Sequence, residues 1–262
     1  MSDTESRYRA PALDKGLDIL ELLAGVESGL TQAEIGKRLG RSPNEFYRML
    51  DRLVRREYVT RIDGDRFALT LKLFGLAQLH APPRRLASYA TPLMRELAND
   101  TCQANQLVVF DRGRAVVIAQ QEAPGYWGIS VRIGSHLSLL ETGSGHVLLA
   151  FNSTEQRQMM LAESSADDGP EMITPEFERR LERIKDQGFE SMPSAQTAGV
   201  FNLSAPILGS DGLAIAALTI PYIALVNHSD APDMSKCIDL LTHTAQKLSD
   251  MAGDPAQRSE KD

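Results

Sequence analysis

The sequence predicts an α+β protein with two domains. In residues 1–80, short helices with clear start signals are followed by a pair of short strands, whereas beyond about residue 100 the apolar pattern has strand spacing, with helices between and after the strands. A length of 262 residues also suits two modest domains. We therefore expect domains at 1–80 and 81–262, the second built on an antiparallel sheet with flanking helices.

Composition argues against several classes of protein. Hydrophobic residues make up 42% of the chain and charged residues 24%, which is ordinary for a globular protein and argues against extended disorder. The apolar runs are well short of the roughly 20 residues that a membrane-spanning helix needs, and the polar first ten residues do not resemble a signal peptide. Two cysteines are too few for a disulfide framework or a cysteine-based zinc site. We expect a cytoplasmic protein that does not bind membranes.

The first domain contains three predicted helices. The first helix runs to about residue 24 and carries a stripe of leucines, Leu13, Leu17, Leu20 and Leu23. The other two helices open with capping boxes, Thr31-Gln32-Ala33-Glu34 and Ser42-Pro43-Asn44-Glu45, and Gly40 ends the helix that lies between these signals. Two short helices joined by a glycine-containing turn form a helix-turn-helix, whose second helix enters the major groove of DNA.

A β-hairpin is predicted directly after these helices. Tyr58–Arg61 and Arg66–Leu69 have strand composition, and Asp63-Gly64-Asp65 between them suits a tight turn that needs positive φ. A helix-turn-helix followed by a hairpin is a winged helix. Lys37–Lys72 contains ten basic and five acidic residues although the net charge of the chain is −7, and such a basic segment is typical of contact with a polyanion. The alternative is a winged helix that contacts another protein, with its charges facing solvent.

We expect this domain to bind double-stranded DNA. Asn44, Tyr47 and Arg48 lie near the start of the second helix of the motif, where side chains reach base edges. Arg61 and Arg66 flank the turn of the wing, where a phosphate backbone would run. The full predicted DNA-binding set is Ser42, Asn44, Glu45, Tyr47, Arg48, Arg52, Arg61 and Arg66.

Two further features of this domain concern its contacts with DNA. Glu45 either completes its capping box or accepts a hydrogen bond from a cytosine amino group, and the two roles compete. Arg7 and Arg9 precede the first helix and would serve as an N-terminal arm.

The second domain is predicted from alternating strand and helix patterns. A helix over Leu71–Leu79 leaves the wing, Pro82-Pro83 interrupts it, and an apolar stripe from Leu86 to Leu97 restarts it, as in a linker between domains. The predicted strands are Gln106–Asp111, Ala115–Gln121, Gly128–Ile133, Phe201–Leu208 and Leu213–Tyr222. The predicted helices lie near Ser144–Phe151, after Ser153, after Thr174-Pro175 and from Met234 to Ala252.

The sequence predicts no enzyme, no metal site and no cofactor. Gly143-Ser144-Gly145-His146 invites comparison with a serine hydrolase, but the nucleophile elbow requires Gly-x-Ser-x-Gly after a strand, and this stretch lacks that spacing. The five histidines show no paired metal-ligand spacing, and Cys102 and Cys237 are expected to be packing residues. A structural turn or a ligand loop is therefore the expected role of Gly143–His146.

Short motifs that are typical of one protein family lie along nearly the whole chain, in the same order as in that family. They are Ala12–Leu20, Leu30–Gly36, Tyr47–Leu50, Gly134-Ser135, Thr142–Gly145, Leu148–Ala150, Gln187–Phe189, Gly199-Val200, Ser204–Pro206 and Ala216–Leu218. Through these motifs the chain resembles the isocitrate lyase regulator (IclR) family of bacterial transcription factors. The resemblance implies a winged-helix dimer with a C-terminal small-molecule sensor of GAF-like shape, and commonly a dimer of dimers. The chain departs from the family at Asn44-Glu45, where members often carry Ser-Thr, so the resemblance does not imply its operator sequence.

The resemblance also implies the positions that bind an effector. Backbone N–H groups of Gly143 and Ser144 would bind a carboxylate. Apolar lining positions match Tyr126, Ile129, Leu137 and Val200, and polar positions match Met192, Asn202, Thr219 and Pro221. A small-keto-acid sensor of this family would have an acidic residue and a cysteine where this chain has Met192 and Asn202. We therefore expect a larger carboxylate, aromatic or sugar-derived, although the same residues could simply be domain core.

The predicted function is that of a transcriptional regulator. A homodimer, or a dimer of dimers, would present two helix-turn-helix motifs to a palindromic operator. A small organic acid bound in residues 81–262 would change the affinity for that operator through the Leu71–Leu97 linker. The alternative function is a winged-helix protein-interaction module whose second domain is a scaffold without a ligand.

Overall fold

The computed structural model describes residues 10–79, 81–125, 128–168, 173–225 and 231–253. The chain divides into two compact units, the first ending at Arg84 and the second beginning at Arg85. Helices and strands in these ranges give the α+β class that the sequence predicts. Within the described ranges, no helix is both long enough and apolar enough to cross a membrane.

The first unit contains four helices and a three-stranded sheet among its described residues. Its elements are α1 (Pro11–Ala24), β1 (Leu30–Thr31), α2 (Gln32–Leu39), α3 (Pro43–Arg55), β2 (Val59–Ile62), β3 (Arg66–Leu69) and α4 (Lys72–Leu79). The helix-turn-helix (α2 and α3) and the hairpin (β2 and β3) are confirmed. The sequence did not predict β1, a two-residue strand that pairs with β3 to give the order β1-β3-β2.

Local hydrogen bonds and turn geometry explain why these elements form. Thr31 Oγ1 accepts from the N–H of Glu34 (3.3 Å), and Glu34 Oε2 accepts from the N–H of Thr31 (2.8 Å), so both members of the first capping box are bonded. The hairpin turn has positive φ at Gly64 (71°) and Asp65 (58°), as an Asp-Gly hairpin signal predicts. Side chains from all three N-terminal helices and the sheet form one core, including Ile19, Leu23, Leu30, Ile35, Phe46 and Leu50.

The leucine stripe of α1 is not buried along its whole length. Leu23 is buried and Leu20 is partly buried, whereas Leu13 is 61% exposed and Leu17 is 45% exposed. The buried side of α1 also includes Ile19, which is not part of the leucine stripe. Leu13 and Leu17 stay exposed because α2, α3 and the sheet cover only the C-terminal half of the stripe. The first two leucines are therefore available for contact with another surface.

The second unit contains a six-stranded antiparallel sheet and five helices among its described residues. Its elements are α5 (Ala81–Thr101), β4 (Asn105–Asp111), β5 (Arg114–Gln121), β6 (His136–Leu137), α6 (Gly143–Ala150), α7 (Thr154–Asp168), α8 (Pro175–Gln187), β7 (Glu190–Pro193), β8 (Val200–Leu208), β9 (Ala214–Ile223) and α9 (Met234–Gly253). The strand order is β6-β5-β4-β9-β8-β7.

Helices cover both faces of this sheet. On one face, α5 and α9 pack through Met94, Leu97 and Leu241 against alternate residues of the strands, such as Leu107 and Leu218. On the other face, α6 and α8 pack through Leu148 and Ile184 against Val108, Val117 and Ala217. All eight residues of α6 are buried. The second face, which carries α6, is the one that holds the predicted effector residues.

Two strand predictions differ from the structure. Gly128–Ile133 forms no strand, because Ile133 is 63% exposed and the chain turns at Gly134 (φ 84°) before the short β6 pairs with β5. The sequence analysis missed β7, which is short, polar and ends in Pro193, and which pairs with β8 alone at the edge of the sheet. Pro82-Pro83 lies in the first turn of α5 rather than interrupting a helix, which is a favourable place for proline.

Candidate DNA-binding surface and effector site

The helix-turn-helix places six predicted DNA-binding residues on one exposed surface. Ser42, Asn44, Glu45, Tyr47, Arg48 and Arg52 are all exposed at the start of α3 and along its outer face. Tyr47 is 57% exposed, which is unusual for a large aromatic residue without a partner surface. Arg55 on the same helix is bound to Asp51 (2.8 Å), whereas no ion pair is recorded for Arg48 or Arg52 in the described part of the chain. Two arginines of α3 are therefore available for bases or phosphates.

The carboxylate of Glu45 belongs to the helix cap. Its Oε2 accepts hydrogen bonds from both the backbone N–H and the hydroxyl of Ser42, each at 2.7 Å. These hydrogen bonds from Ser42 hold the pKa of Glu45 below its ordinary value. An ionised carboxylate also suits the positive end of the α3 dipole. Of the two roles considered for Glu45, this geometry supports capping.

The two arginines of the wing differ in their surroundings. Arg61 is exposed, with Nε 3.3 Å from Oδ1 of Asp65 and its guanidinium 5.5 Å from the ring centre of Phe67. Arg66 is partly buried, and its guanidinium donates to the carbonyl of Ser28 (3.2 Å) and pairs with Glu34 (3.2 Å). Arg61 is the more accessible to phosphate, while Arg66 is engaged within its own unit. Arg7 and Arg9 lie outside the described residues.

The predicted carboxylate loop forms the N-terminus of α6. Thr142 caps this helix by accepting a hydrogen bond from the N–H of Gly145 (3.2 Å), which leaves the N–H groups of Gly143 and Ser144 outside the cap. A Cβ atom on Gly143 would lie 2.8 Å from Oγ of Ser204 and 3.4 Å from Cβ of Asn202. Glycine is needed here because the start of α6 lies so close to β8.

A row of polar side chains crosses the sheet beside this helix start. Directly paired residues of antiparallel strands share a face, and the pairs Glu190–Ser204, Ser204–Thr219 and Thr219–Gln106 place four polar residues in one line. Ser204 Oγ and Thr219 Oγ1 are hydrogen bonded at 2.9 Å. All four residues are at most 4% exposed. We call Glu190, Ser204, Thr219 and Gln106 the polar row.

The structure brings together six of the ten predicted effector residues. Met192, Asn202 and Pro221 pair across β7, β8 and β9, one step along the strands from the polar row, which contains Thr219. Gly143 and Ser144 lie at the adjacent start of α6. Whether these six residues bind an effector remains a prediction.

The other four predicted lining residues are less closely grouped. Val200 is buried on β8, on the same face as Asn202 but one step further from the polar row. Leu137 lies on β6, at the opposite edge of the sheet from β7, and Ile129 is partly buried in a segment without regular structure. Tyr126 lies outside the described residues.

The sequence analysis missed a buried ionic cluster on the same side of the sheet. His146 of α6 donates from Nε2 to the carbonyl oxygen of Leu140 (2.7 Å), and its Nδ1 lies 3.0 Å from Oε2 of Glu190. Arg180 of α8 donates to the same carboxylate oxygen (2.8 Å). Burial raises the pKa of Glu190, but the hydrogen bonds from His146 and Arg180 outweigh it and hold this pKa below its ordinary value. The cluster ties α6 and α8 to β7.

Other features of the chain are poorer candidates for an effector, redox or metal site. A cleft of about 450 Å³ lies between the end of α8, β8 and α9, but its lining includes none of the predicted effector residues. Cys237 is buried on α9, and burial raises the pKa of its thiol to about 11, so it is a packing residue as predicted. Groups of three or more potential metal ligands are absent among the described residues.

Both parts of the chain match models of one protein family. The family model "IclR helix-turn-helix domain" matches residues 12–63, and the model "Bacterial transcriptional regulator IclR C-terminal" matches residues 81–250, well over half of the chain. The chain belongs to the IclR family. It is therefore a DNA-binding transcriptional regulator, and its relatives in the IclR family are regulators rather than enzymes.

Individual relatives resemble nearly the full length of the chain. The regulator BhcR of Paracoccus denitrificans is 29% identical over 243 residues, which cover 91% of this chain and 86% of BhcR. The regulator KdgR of Escherichia coli is 26% identical over 243 residues, which cover 91% of this chain and 91% of KdgR. An IclR homologue from Microbacterium hydrocarbonoxydans, solved in complex with 4-hydroxybenzoate, has the same fold with a TM-score of 0.73 and 21% identity, covering 91% of this chain and 98% of that one.

Proposed function

We propose that this regulator responds to a carboxylate effector bound between the start of α6 and the polar row. The observation that carries the proposal is the position of the N–H groups of Gly143 and Ser144. They lie outside the helix cap, at the positive end of α6, and close to the hydroxyl of Ser204. Helix N-termini with unsatisfied N–H groups bind anions readily. The Microbacterium homologue bound to 4-hydroxybenzoate supports an aromatic acid as one effector class.

The residues beside this helix start favour a larger acid over pyruvate or glyoxylate. Met192, Asn202 and Pro221 carry no charge and offer a thioether, an amide and a ring. A larger acid, aromatic or sugar-derived, has a body that can contact these uncharged side chains, whereas pyruvate or glyoxylate consists of little more than its carboxylate and carbonyl groups.

Effector binding would act on DNA through linkage between two sites. A coupling free energy of roughly 1–3 kcal/mol would change operator affinity about 5- to 150-fold. A homodimer in the cytoplasm would place two copies of α3 on a palindromic operator, with half-sites one or more turns of DNA apart. Asn44, Tyr47 and Arg48 would contact bases, and Ser42, Arg52 and Arg61 would contact phosphates.

The first unit supports the proposed homodimer. It exposes large apolar side chains that its own core does not cover: Leu13, Leu17, Leu71, Phe74, Leu76 and Leu79. Single exposed leucines are ordinary, but several large apolar side chains exposed on α1, on α4 and beside α4 indicate contact with another surface. A second copy of the chain could cover the same side chains symmetrically, and further pairing would give a dimer of dimers.

Replacing Phe74 with glutamate is expected to shift the protein from dimer to monomer. Phe74 is 63% exposed on α4, so a charge there costs little in the monomer but would be buried at a dimer interface. Sedimentation velocity at micromolar concentration measures the change. Met159→Glu, which alters an exposed apolar side chain of the second unit, is the matched control and should remain dimeric. An unchanged dimer in Phe74→Glu would contradict this assignment of the interface.

The effector site is tested by thermal denaturation against short keto acids, aromatic carboxylates and sugar acids. A ligand at about 100 times its dissociation constant stabilises the folded protein by roughly 2.7 kcal/mol, which shifts the melting temperature measurably. The shift should disappear in Ser144→Trp, which fills the space at the helix start, and weaken in Thr219→Val, which keeps the side-chain shape. Ser88→Trp, at an exposed position on α5, should retain it.

The outcome also distinguishes the alternatives. Shifts from pyruvate or glyoxylate alone would contradict the proposed effector size. No shift with any acid would favour the scaffold function, in which the second domain carries no ligand.

A further inference from the structure

Gln106 is a buried polar residue whose side-chain oxygen has no partner. It is 4% exposed, and its Oε1 has no hydrogen bond among the described residues. A buried acceptor without a donor destabilises the folded state, and nearly all such groups in folded proteins are paired. The other unpaired buried oxygen in the described chain, Oδ1 of Asn105, belongs to the opposite face, where its Nδ2 donates to the carbonyl of Met94.

The strand register places Gln106 beside the proposed effector. Gln106 is paired with Thr219, which is paired with Ser204, and the start of α6 lies against Ser204. Gln106 and Ser204 are therefore two strand spacings apart, roughly 10 Å. An effector whose carboxylate is at Gly143 and Ser144, and whose body follows the polar row, would have its far end near Gln106.

The other three residues of the polar row already have hydrogen-bond partners. Glu190 already accepts hydrogen bonds from His146, Arg180 and the N–H of Ser191. The hydroxyls of Ser204 and Thr219 are hydrogen bonded to each other. This bond uses the proton of one hydroxyl, so the other hydroxyl can still donate its proton. Among the described residues, Gln106 Oε1 is thus the one side-chain oxygen of the polar row that makes no hydrogen bond.

We propose that Gln106 determines effector specificity by accepting a hydrogen bond from a hydroxyl group at the end of the effector distant from its carboxylate. The effector class is then a hydroxylated carboxylic acid rather than any carboxylate of the right size. The discrimination arises because an acid without the hydroxyl leaves Oε1 buried and unpaired, whereas the hydroxylated acid satisfies it. This inference rests on the proposed effector site.

Matched pairs of acids test the proposal on the full-length protein. The probes are 4-hydroxybenzoate with benzoate, and 6-hydroxyhexanoate with hexanoate, titrated by isothermal calorimetry. We expect wild type to bind at least one hydroxylated acid roughly 10-fold or more tightly than its partner. In Gln106→Met, which keeps the side-chain length, that ratio should fall to about one, mainly through weaker binding of the hydroxylated acid. Gln196→Met, at an exposed glutamine, should keep the wild-type ratio.

The unliganded variant provides a second, independent measurement. Because Oε1 of Gln106 has no donor among the described residues, Gln106→Met should melt at or above the temperature of wild type. A clear drop in melting temperature would show that the amide group of Gln106 is bonded within the protein, which overturns the proposal without any ligand.

Failure of this proposal and failure of the effector site give different results. Wild type that binds both members of each pair equally retains the effector site but contradicts the role of Gln106. Wild type that binds none of the four acids, nor any acid of the larger panel, contradicts the effector site itself and this inference with it.

Discussion

Replacing Arg48 with alanine is expected to reduce the sequence preference of DNA binding at the base it contacts while leaving the protein folded. Arg48 is exposed on α3, and no ion pair is recorded for it in the described chain, so its guanidinium is free to bond two acceptors of a guanine. Loss of such a bidentate contact typically costs about 1–3 kcal/mol of base discrimination at each half-site. Duplexes selected by wild type from a random pool provide the operator on which to measure it.

Two neighbouring arginines make this experiment specific. Arg55→Ala removes an exposed arginine that is bound to Asp51, and should change DNA affinity little. Arg52→Ala is expected to weaken binding to all sequences alike and to reduce the salt dependence by about one phosphate contact per protomer. If Arg48→Ala selects the same consensus as wild type, Arg48 does not contact a base.

Replacing Glu190 with alanine is expected to destabilise the second unit by roughly 3 kcal/mol. The change leaves His146 buried without its carboxylate and removes the link between α6, α8 and β7. Breaking a buried ion pair usually costs about 3–5 kcal/mol, and the lower end applies because the Arg180 side chain is 33% exposed and can turn to water. Urea denaturation at pH 7 measures the effect. Glu182→Ala, at an exposed carboxylate of α8, should lie within about 0.5 kcal/mol of wild type.

The pH dependence of stability identifies the same carboxylate. Burial raises the pKa of Glu190, but the hydrogen bonds from His146 and Arg180 and the charge of Arg180 hold it below the ordinary 4.5. A carboxyl group with a lowered pKa in the folded state stabilises the protein above its unfolded pKa, and this contribution is lost as the pH falls towards the folded pKa. Below about pH 4.5, wild type should therefore lose stability more steeply than Glu190→Ala. Equal slopes would contradict an ionised Glu190 in the folded protein.

The helix-turn-helix could be predicted because its signals are local. The capping box at Thr31 and Glu34, and the Asp-Gly turn at Gly64, each depend on residues within a few positions of one another. Their hydrogen bonds and dihedral angles form in much the same way whatever surrounds them. The exposed face of α3 follows from the same periodicity that buries Phe46 and Leu50.

The proposed effector site could be predicted only in part. Family resemblance suggested Gly143, Ser144 and Thr219 as effector residues. Gln106, which we propose as a further contact, has no local signal because it is a single glutamine at the start of an apolar strand. The sequence indicates no partner for His146, because Glu190 lies 44 residues further along the chain. The strand predicted at Gly128–Ile133 was wrong because apolar residues alone do not supply a pairing partner.

The sequence by itself determined the two-domain α+β organisation, the helix-turn-helix and the side chains exposed on α3, because periodicity and capping act over a few residues. Only the tertiary structure decided which polar side chains share one row of the sheet, since that depends on the register between β4, β7, β8 and β9. It likewise decided that Leu13 and Leu17 remain exposed while Ile19 is buried. Register and burial are set by packing between segments far apart in the chain, and no window of sequence contains that information.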